Sequence, residues 1–196
     1  MRRLLLILIT FFLTTLIGWT FWYQEIQYWL PTPVPASYSV VRPGEVIAFD
    51  SILLPQQHDK PVLLHFFSPT CPCSRFNLRH FSDLYRTYGK QVCFYAVTPA
   101  VQDLDKAKGY LPEGITVIHD TDDALAKACG VYSTPQAVLL QQDNTLYFRG
   151  NYNRSRYCTN KATNYVEQAL VALLKHQPLP SFDSAATVPY GCAIYE

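Results

Sequence analysis

The stretch Pro61-Val62-Leu63-Leu64-His65-Phe66-Phe67 is apolar at every position but one, and Ser68-Pro69 closes it. A short run without two-residue alternation reads as a strand buried on both faces, as at the centre of a parallel sheet. Such a strand needs a layer of other elements on each side of its sheet, which narrows the chain to layered α/β architectures. One layer follows at once. Phe76, Leu78, Phe81, Leu84, Tyr85 and Tyr88 recur with helical period across 74–88, and Gly89 ends the pattern.

The alternation continues. Residues 91–97 form a second apolar strand, 101–110 a short helix and 115–119 a third strand. Residues 122–129 read as a helix with Asp122 and Asp123 in its first turn and Gly130 just past its end. Strands over 136–141 and 145–149 flank Asp143-Asn144, a hairpin signal. A helix over 160–176 places Tyr165, Val166, Ala169, Leu170, Leu173 and Leu174 on one face. The order βαβαβαββα predicts parallel strands with right-handed crossovers and antiparallel strands added at one side. Residues 177–196 contain Pro178, Pro180 and Pro189, show no period and read as an irregular tail.

Ahead of this domain, Leu4 to Tyr23 carries no charge and is long enough to cross a bilayer as a helix. Arg2 and Arg3 precede it and no Lys or Arg follows until Arg42, so the N-terminus is expected in the cytoplasm and the rest outside. Trp19, Phe21, Trp22, Tyr23, Tyr28 and Trp29 cluster at the outer end, which suits a membrane interface. A cleaved signal peptide ending near Val34-Pro35-Ala36 is the alternative; the length of the apolar stretch favours an anchor. Either way the domain is exported, and a bacterial inner membrane with the domain in the periplasm is the expected setting, where disulfides persist. The expected divisions are an anchor over 1–30, a stiff Pro-rich linker over 31–45, the domain over 46–176 and the tail over 177–196.

Removing Arg2, Arg3 and Glu25 from the 16 Lys+Arg and 15 Asp+Glu leaves 14 of each beyond residue 30. A neutral domain without a basic run gives no support for nucleic-acid binding. The 14 Tyr, 11 Phe and 3 Trp argue against disorder.

Chemistry concentrates at Ser68-Pro69-Thr70-Cys71-Pro72-Cys73-Ser74, between the buried strand and the helix. Unpaired amides and the positive end of the dipole at a helix N-terminus stabilise a thiolate there, which makes a cysteine nucleophilic. Pro72 suits the first turn, where a missing N–H costs nothing.

The strand Val62–Phe67 leading to Cys71, the helix after it, and Ser133-Thr134-Pro135 ahead of the hairpin resemble the thioredoxin-like superfamily over roughly 46–176. The resemblance implies a three-layer α/β/α sandwich with a mixed central sheet, here behind one N-terminal transmembrane helix. The details look closest to membrane-anchored periplasmic thiol–disulfide oxidoreductases and to redoxin-like proteins with a Cys-Pro-Cys segment. It implies that Cys71 attacks, that Pro135 is a cis-proline packed near it, and that Thr134 offers backbone groups to an extended substrate. The usual resolving position holds Ser74, with Cys73 one place earlier. Either Cys71 and Cys73 pair across one residue, or Cys71 works with a distant cysteine.

Cys93 and Cys129 lie in apolar elements and read as small buried side chains. In this topology the last strand returns to the active-site end, which brings the loop 150–159, with Cys158, beside Cys71. Arg149, Arg154 and Arg156 there stabilise a thiolate or bind a partner, or simply face solvent. Cys192 pairs with Cys158 as a staple, the favoured reading, or reaches Cys71 or Cys73 as a resolving thiol. His65 matches the position of a buried proton-moving acid and is either that or a core histidine.

The leading function is thiol–disulfide exchange with a protein or small-molecule thiol or disulfide. A thiol peroxidase is the alternative, because Ser68 to Pro72 resembles the peroxiredoxin segment, with Arg149 as the arginine it needs. A copper-handling role through Cys71, Cys73 and an outside histidine, and an inactive binding domain, are further alternatives. No cofactor and no resident metal is expected. The substrate, redox partner and oligomeric state are not legible.

Overall fold

The computed structural model describes residues 2–24, 30–48, 59–155 and 158–195. Helix α1 (Arg2–Gln24) is long and apolar enough to cross a membrane, and none of its span is buried against the rest of the chain. The hydroxyls of Thr10, Thr14, Thr15 and Thr20 donate to carbonyls one turn back. These four hydroxyls are thereby satisfied without water.

Strand β1 (Val62–Phe66) is buried at all five positions and lies at the centre of the sheet. It pairs in parallel with β2 (Cys93–Thr98), which pairs in parallel with β3 (Thr116–His119). On its other side it pairs antiparallel with β5 (Gln136–Leu140), and β6 (Leu146–Gly150) closes the edge as a hairpin. The order β3-β2-β1-β5-β6 is the mixed sheet that the element sequence predicts. At the hairpin Asn144 adopts a left-handed φ of 64°, which Asn tolerates.

Successive residues of β1 serve opposite layers, as a strand's two-residue period requires. Leu63 and Phe67 enter a core with Phe81 and Leu84 of α2 (Pro72–Tyr88) and with Val166 and Leu170 of α5 (Tyr165–Leu174). Ala107 of α3 (Leu104–Tyr110) joins the same core. Val62, Leu64 and Phe66 enter the opposite core with Leu125, Ala126 and Cys129 of α4 (Ala124–Cys129). These three layers form a thioredoxin-like α/β/α sandwich.

The structure refines several expected boundaries. Asp122 and Asp123 do not start α4; both have positive φ, and the buried Asp120 carboxylate accepts the Leu125 and Ala126 amides at 2.7 and 2.8 Å. The helix expected over 160–176 begins at Tyr165, because Asn164 breaks the pattern with ψ 76° after a short 3-10 turn. Cys129 is fully buried as expected, whereas Cys93, at the start of β2, is only half-buried.

Two segments depart further. The proline-rich stretch contacts the domain. Pro31 bridges Tyr190, and the Thr32 amide donates to the Pro189 carbonyl at 2.9 Å. Residues 44–47 run along β6 through Gly44, Glu45 and Ile47. The tail is also ordered. It forms the short helix α6 (Ser184–Thr187) and a two-residue strand β7 (Cys192–Ala193), which pairs with β4 (Ser133–Thr134). Its patternless sequence hides this because its hydrogen bonds go to other parts of the chain. The buried Asn151 side chain, for instance, donates to the Ala185 and Val188 carbonyls.

Candidate functional site

Cys71 is the N-cap residue of α2, with extended backbone and Pro72 in the first turn. The cap is made by backbone rather than side chain: the Ser74 amide donates to the Cys71 carbonyl at 3.2 Å. The sulfur makes no capping hydrogen bond to the helix. It lies 3.8 Å from the carbonyl oxygen of Thr134, the residue before a cis peptide bond to Pro135.

Cys71 is disulfide-bonded to Cys192, 121 residues away, with a Cα–Cα distance of 6.2 Å. β7 carries Cys192 to this point: Thr134 lies opposite Cys192 and Ser133 opposite Ala193. The Ser133 hydroxyl donates to the Tyr190 carbonyl at 3.1 Å and shares a 2.9 Å hydrogen bond with Thr32. Gly191 permits the close approach. Its φ is 120°, and a Cβ there would strike the Thr134 carbonyl oxygen. Past Cys192, the Ile194 amide donates to the Tyr132 carbonyl, and Lys127 lies over the Tyr195 ring.

Cys73, two residues into the same helix, is buried, and desolvation pushes its thiol up to about 11. Asn77 lies between it and Cys158, donating to the Cys73 carbonyl at 3.3 Å and accepting from the Cys158 sulfur at 2.7 Å. Burial pushes the Cys158 thiol up to about 12. Both remain free thiols. The structure thus selects a distant partner for Cys71, not Cys73, and pairs Cys192 with Cys71 rather than with Cys158. Cys158 meets α2 at Asn77, six residues beyond Cys71.

A profile for a protein family described as a domain of unknown function, DUF6436, matches residues 46–193. The chain belongs to the DUF6436 family. The match contains both Cys71 and Cys192. No curated protein matches the sequence. In structure, this DUF6436 chain is similar to a conserved protein of Geobacillus kaustophilus, with 20% identity, TM-score 0.64, and 85% of this chain and 98% of the other covered. It is equally similar to a hypothetical protein of Sinorhizobium meliloti, with 20% identity, TM-score 0.64, and 80% and 96% covered. A secreted disulfide oxidoreductase of Mycobacterium tuberculosis aligns over 60% of this chain and 81% of its own, with 18% identity and TM-score 0.44.

The other expected site residues of this DUF6436 chain fall into place differently. His65 is a core residue. It stacks on Phe81 with ring centroids 4.4 Å apart, and its Nδ1 shares a 2.7 Å hydrogen bond with the buried Tyr152 hydroxyl. Burial lowers its pKa to about 3, so it is neutral at physiological pH and carries no proton to give as an imidazolium. Arg149 is not poised over the thiol. Its guanidinium donates to the carbonyls of Val41 and Cys129, both at 3.0 Å, which ties the N-terminal segment to the end of α4. Arg154 pairs with Asp183 at the surface. Arg156 lies outside the described residues. Among the described residues, no group of three or more His, Cys, Asp or Glu side chains is placed to hold a metal ion.

Thr32, Ser133, Asn77, Tyr152 and Gly191 also shape the site, through contacts that their sequence pattern does not show. The one cue in the sequence is Tyr190-Gly191-Cys192, where a glycine beside a cysteine marks a close backbone approach.

Proposed function

We propose that this protein is a thiol–disulfide oxidoreductase in which Cys71 is the attacking thiolate and Cys192 the resolving cysteine. The Cys71–Cys192 disulfide beside Pro135 carries this reading. In the reduced state, Cys71 has the helix N-terminus to stabilise its thiolate. It attacks a substrate disulfide, one substrate sulfur leaves as a thiolate, and a mixed disulfide forms. Cys192 then attacks Cys71 Sγ, which releases the second substrate thiolate and closes the observed bond. Cys73 takes no part, because a thiol held up at about 11 is almost entirely protonated near neutral pH.

Helix α1 is the membrane anchor in this reading, with its N-terminus in the cytoplasm and the domain in the periplasm. The divisions in this reading are anchor 1–30, linker 31–45, domain 46–176 and tail 177–196, with 31–45 and 177–196 both in contact with the domain. A thiol peroxidase uses a similar cysteine pair. The engagement of Arg149 by Val41 and Cys129 weighs against it, since the arginine such chemistry needs is held elsewhere.

Reduction of insulin or a chromogenic model disulfide by the full chain, supplied with a dithiol, tests the proposal. Turnover that depends on both Cys71 and Cys192 is expected. Full activity in Cys71→Ser sinks it. Oxidation of the reduced protein by hydrogen peroxide far faster than a free thiol would favour the peroxidase.

A further inference from the structure

The two sulfurs of the disulfide are not equivalent. Cys71 is 3% exposed, whereas Cys192 is partly exposed on the tail strand. Cys71 caps a 17-residue helix, and Cys192 begins a two-residue strand with no helix terminus behind it. Resting on the oxidoreductase reading above, we propose that reducing equivalents enter this protein at Cys192 Sγ, with Cys71 as the leaving group.

Three features converge on this assignment. The first is access. A thiolate attacks a disulfide along the S–S axis, from behind the sulfur it strikes. The region around Cys71 Sγ is buried, and the Thr134 carbonyl oxygen lies 3.8 Å from the sulfur, a dipole end that repels an anion. The second is the leaving group. Exchange is faster when the departing thiol has the lower pKa. Departure of Cys71 places the new charge at the positive end of α2, while departure of Cys192 places it on the tail without that support. The third is retention. Pro31, Thr32 and Ser133 hold the tail through Pro189 and Tyr190, just ahead of Cys192. The attacked sulfur is therefore presented at a fixed place rather than on a loose end.

The donor is a dithiol, protein or small molecule. One donor thiolate attacks Cys192 Sγ. The Cys71–Cys192 bond breaks as the donor–Cys192 bond forms, and the electron pair leaves on Cys71 as thiolate. The donor's second thiolate then attacks the donor sulfur of this mixed disulfide. Cys192 leaves as thiolate and takes a proton from water. The donor is oxidised by two electrons to its own disulfide, and the protein gains two.

A monothiol probe reads the first step. The oxidised full chain in detergent is mixed with reduced glutathione, quenched in denaturing acid at the earliest times, alkylated and digested. Peptide masses then locate the glutathione. At least about tenfold more adduct is expected on Cys192 than on Cys71, following the access and leaving-group order. Adduct on Cys71, or an equal split, overturns the entry point and leaves the oxidoreductase reading standing. Absence of the Cys71–Cys192 cross-linked peptide before glutathione is added overturns both.

Discussion

Thr134 faces Cys192 across a two-residue antiparallel pairing, in the same place where the Cys192 sulfur is joined to Cys71. The tail thus occupies the backbone edge that the resemblance to thioredoxin-like proteins assigns to an extended substrate. In the proposed reaction, a mixed disulfide with a bound peptide would use the same two elements: strand pairing beside the cis-proline and a sulfur–sulfur bond to Cys71. Here the chain supplies both from its own C-terminus. On the oxidoreductase reading proposed above, a substrate peptide and the tail would compete for this edge, and opening of the disulfide would free it.

Cysteine variants should separate along this geometry. Cys71→Ser is expected to abolish reduction of a model disulfide. Cys192→Ser should retain attack but lose resolution, so turnover falls at least about tenfold and a mixed disulfide on Cys71 accumulates. Cys73→Ser should keep near-full turnover. Steady-state rates and intact mass under non-reducing conditions check all three.

Gly191→Ala should weaken tail docking. The left-handed backbone costs a non-glycine residue roughly 1–2 kcal/mol, and the Cβ meets the Thr134 carbonyl in addition. Redox titration against glutathione should show the Cys71–Cys192 disulfide about tenfold or more easier to reduce than in the parent, because the cysteines meet less often. An unchanged midpoint would show that the tail docks by other means.

Cys73 should resist alkylation at pH 8 in the folded, reduced protein and react once guanidinium unfolds it. Its thiol pKa is raised from 9.0 to about 11, so folding favours the protonated form. The associated stability is fully present below pH 9 and is lost as pH rises towards 11. Denaturant midpoints at pH 8 and pH 10.5, for the parent and for Cys73→Ala, measure that loss as the difference between them.

Acid should destabilise the fold through His65. Its folded pKa is lowered from 6.5 to about 3, so the unfolded chain takes up a proton that the folded chain refuses. Stability is full above pH 6.5 and falls as pH drops towards 3, by on the order of several kcal/mol at 1.36 kcal/mol per pH unit. Replacing His65 and Tyr152 together by Phe removes both ends of the 2.7 Å hydrogen bond and should flatten this part of the acid limb. Urea unfolding at pH 7 and pH 4 reads the effect.

Arg149→Ala should lower stability by roughly 1–3 kcal/mol, since two carbonyls lose their donor. Its rate of model-disulfide reduction, per folded molecule, should match the parent. A large loss of rate at unchanged stability would return Arg149 to the chemistry.

Local pattern was enough to place the layered α/β fold, the apolar leader and Cys71 at the start of the helix after the central strand. The reason is that each rests on neighbours in sequence: the apolar run Val62–Phe67, the helical period of 74–88, and the helix end that Cys71 caps. The partner of Cys71 was legible only as one option among several. Cys192 lies 121 residues away in a segment without periodicity, and its destination depends on hydrogen bonds to Thr32, Ser133 and Asn151 rather than on its own order. The same holds for His65 and Arg149. Residue type allowed a proton carrier and a thiolate partner. Tertiary packing instead set His65 between Phe81 and Tyr152 in a medium that keeps it neutral, and turned Arg149 to two carbonyls that no local pattern brings together.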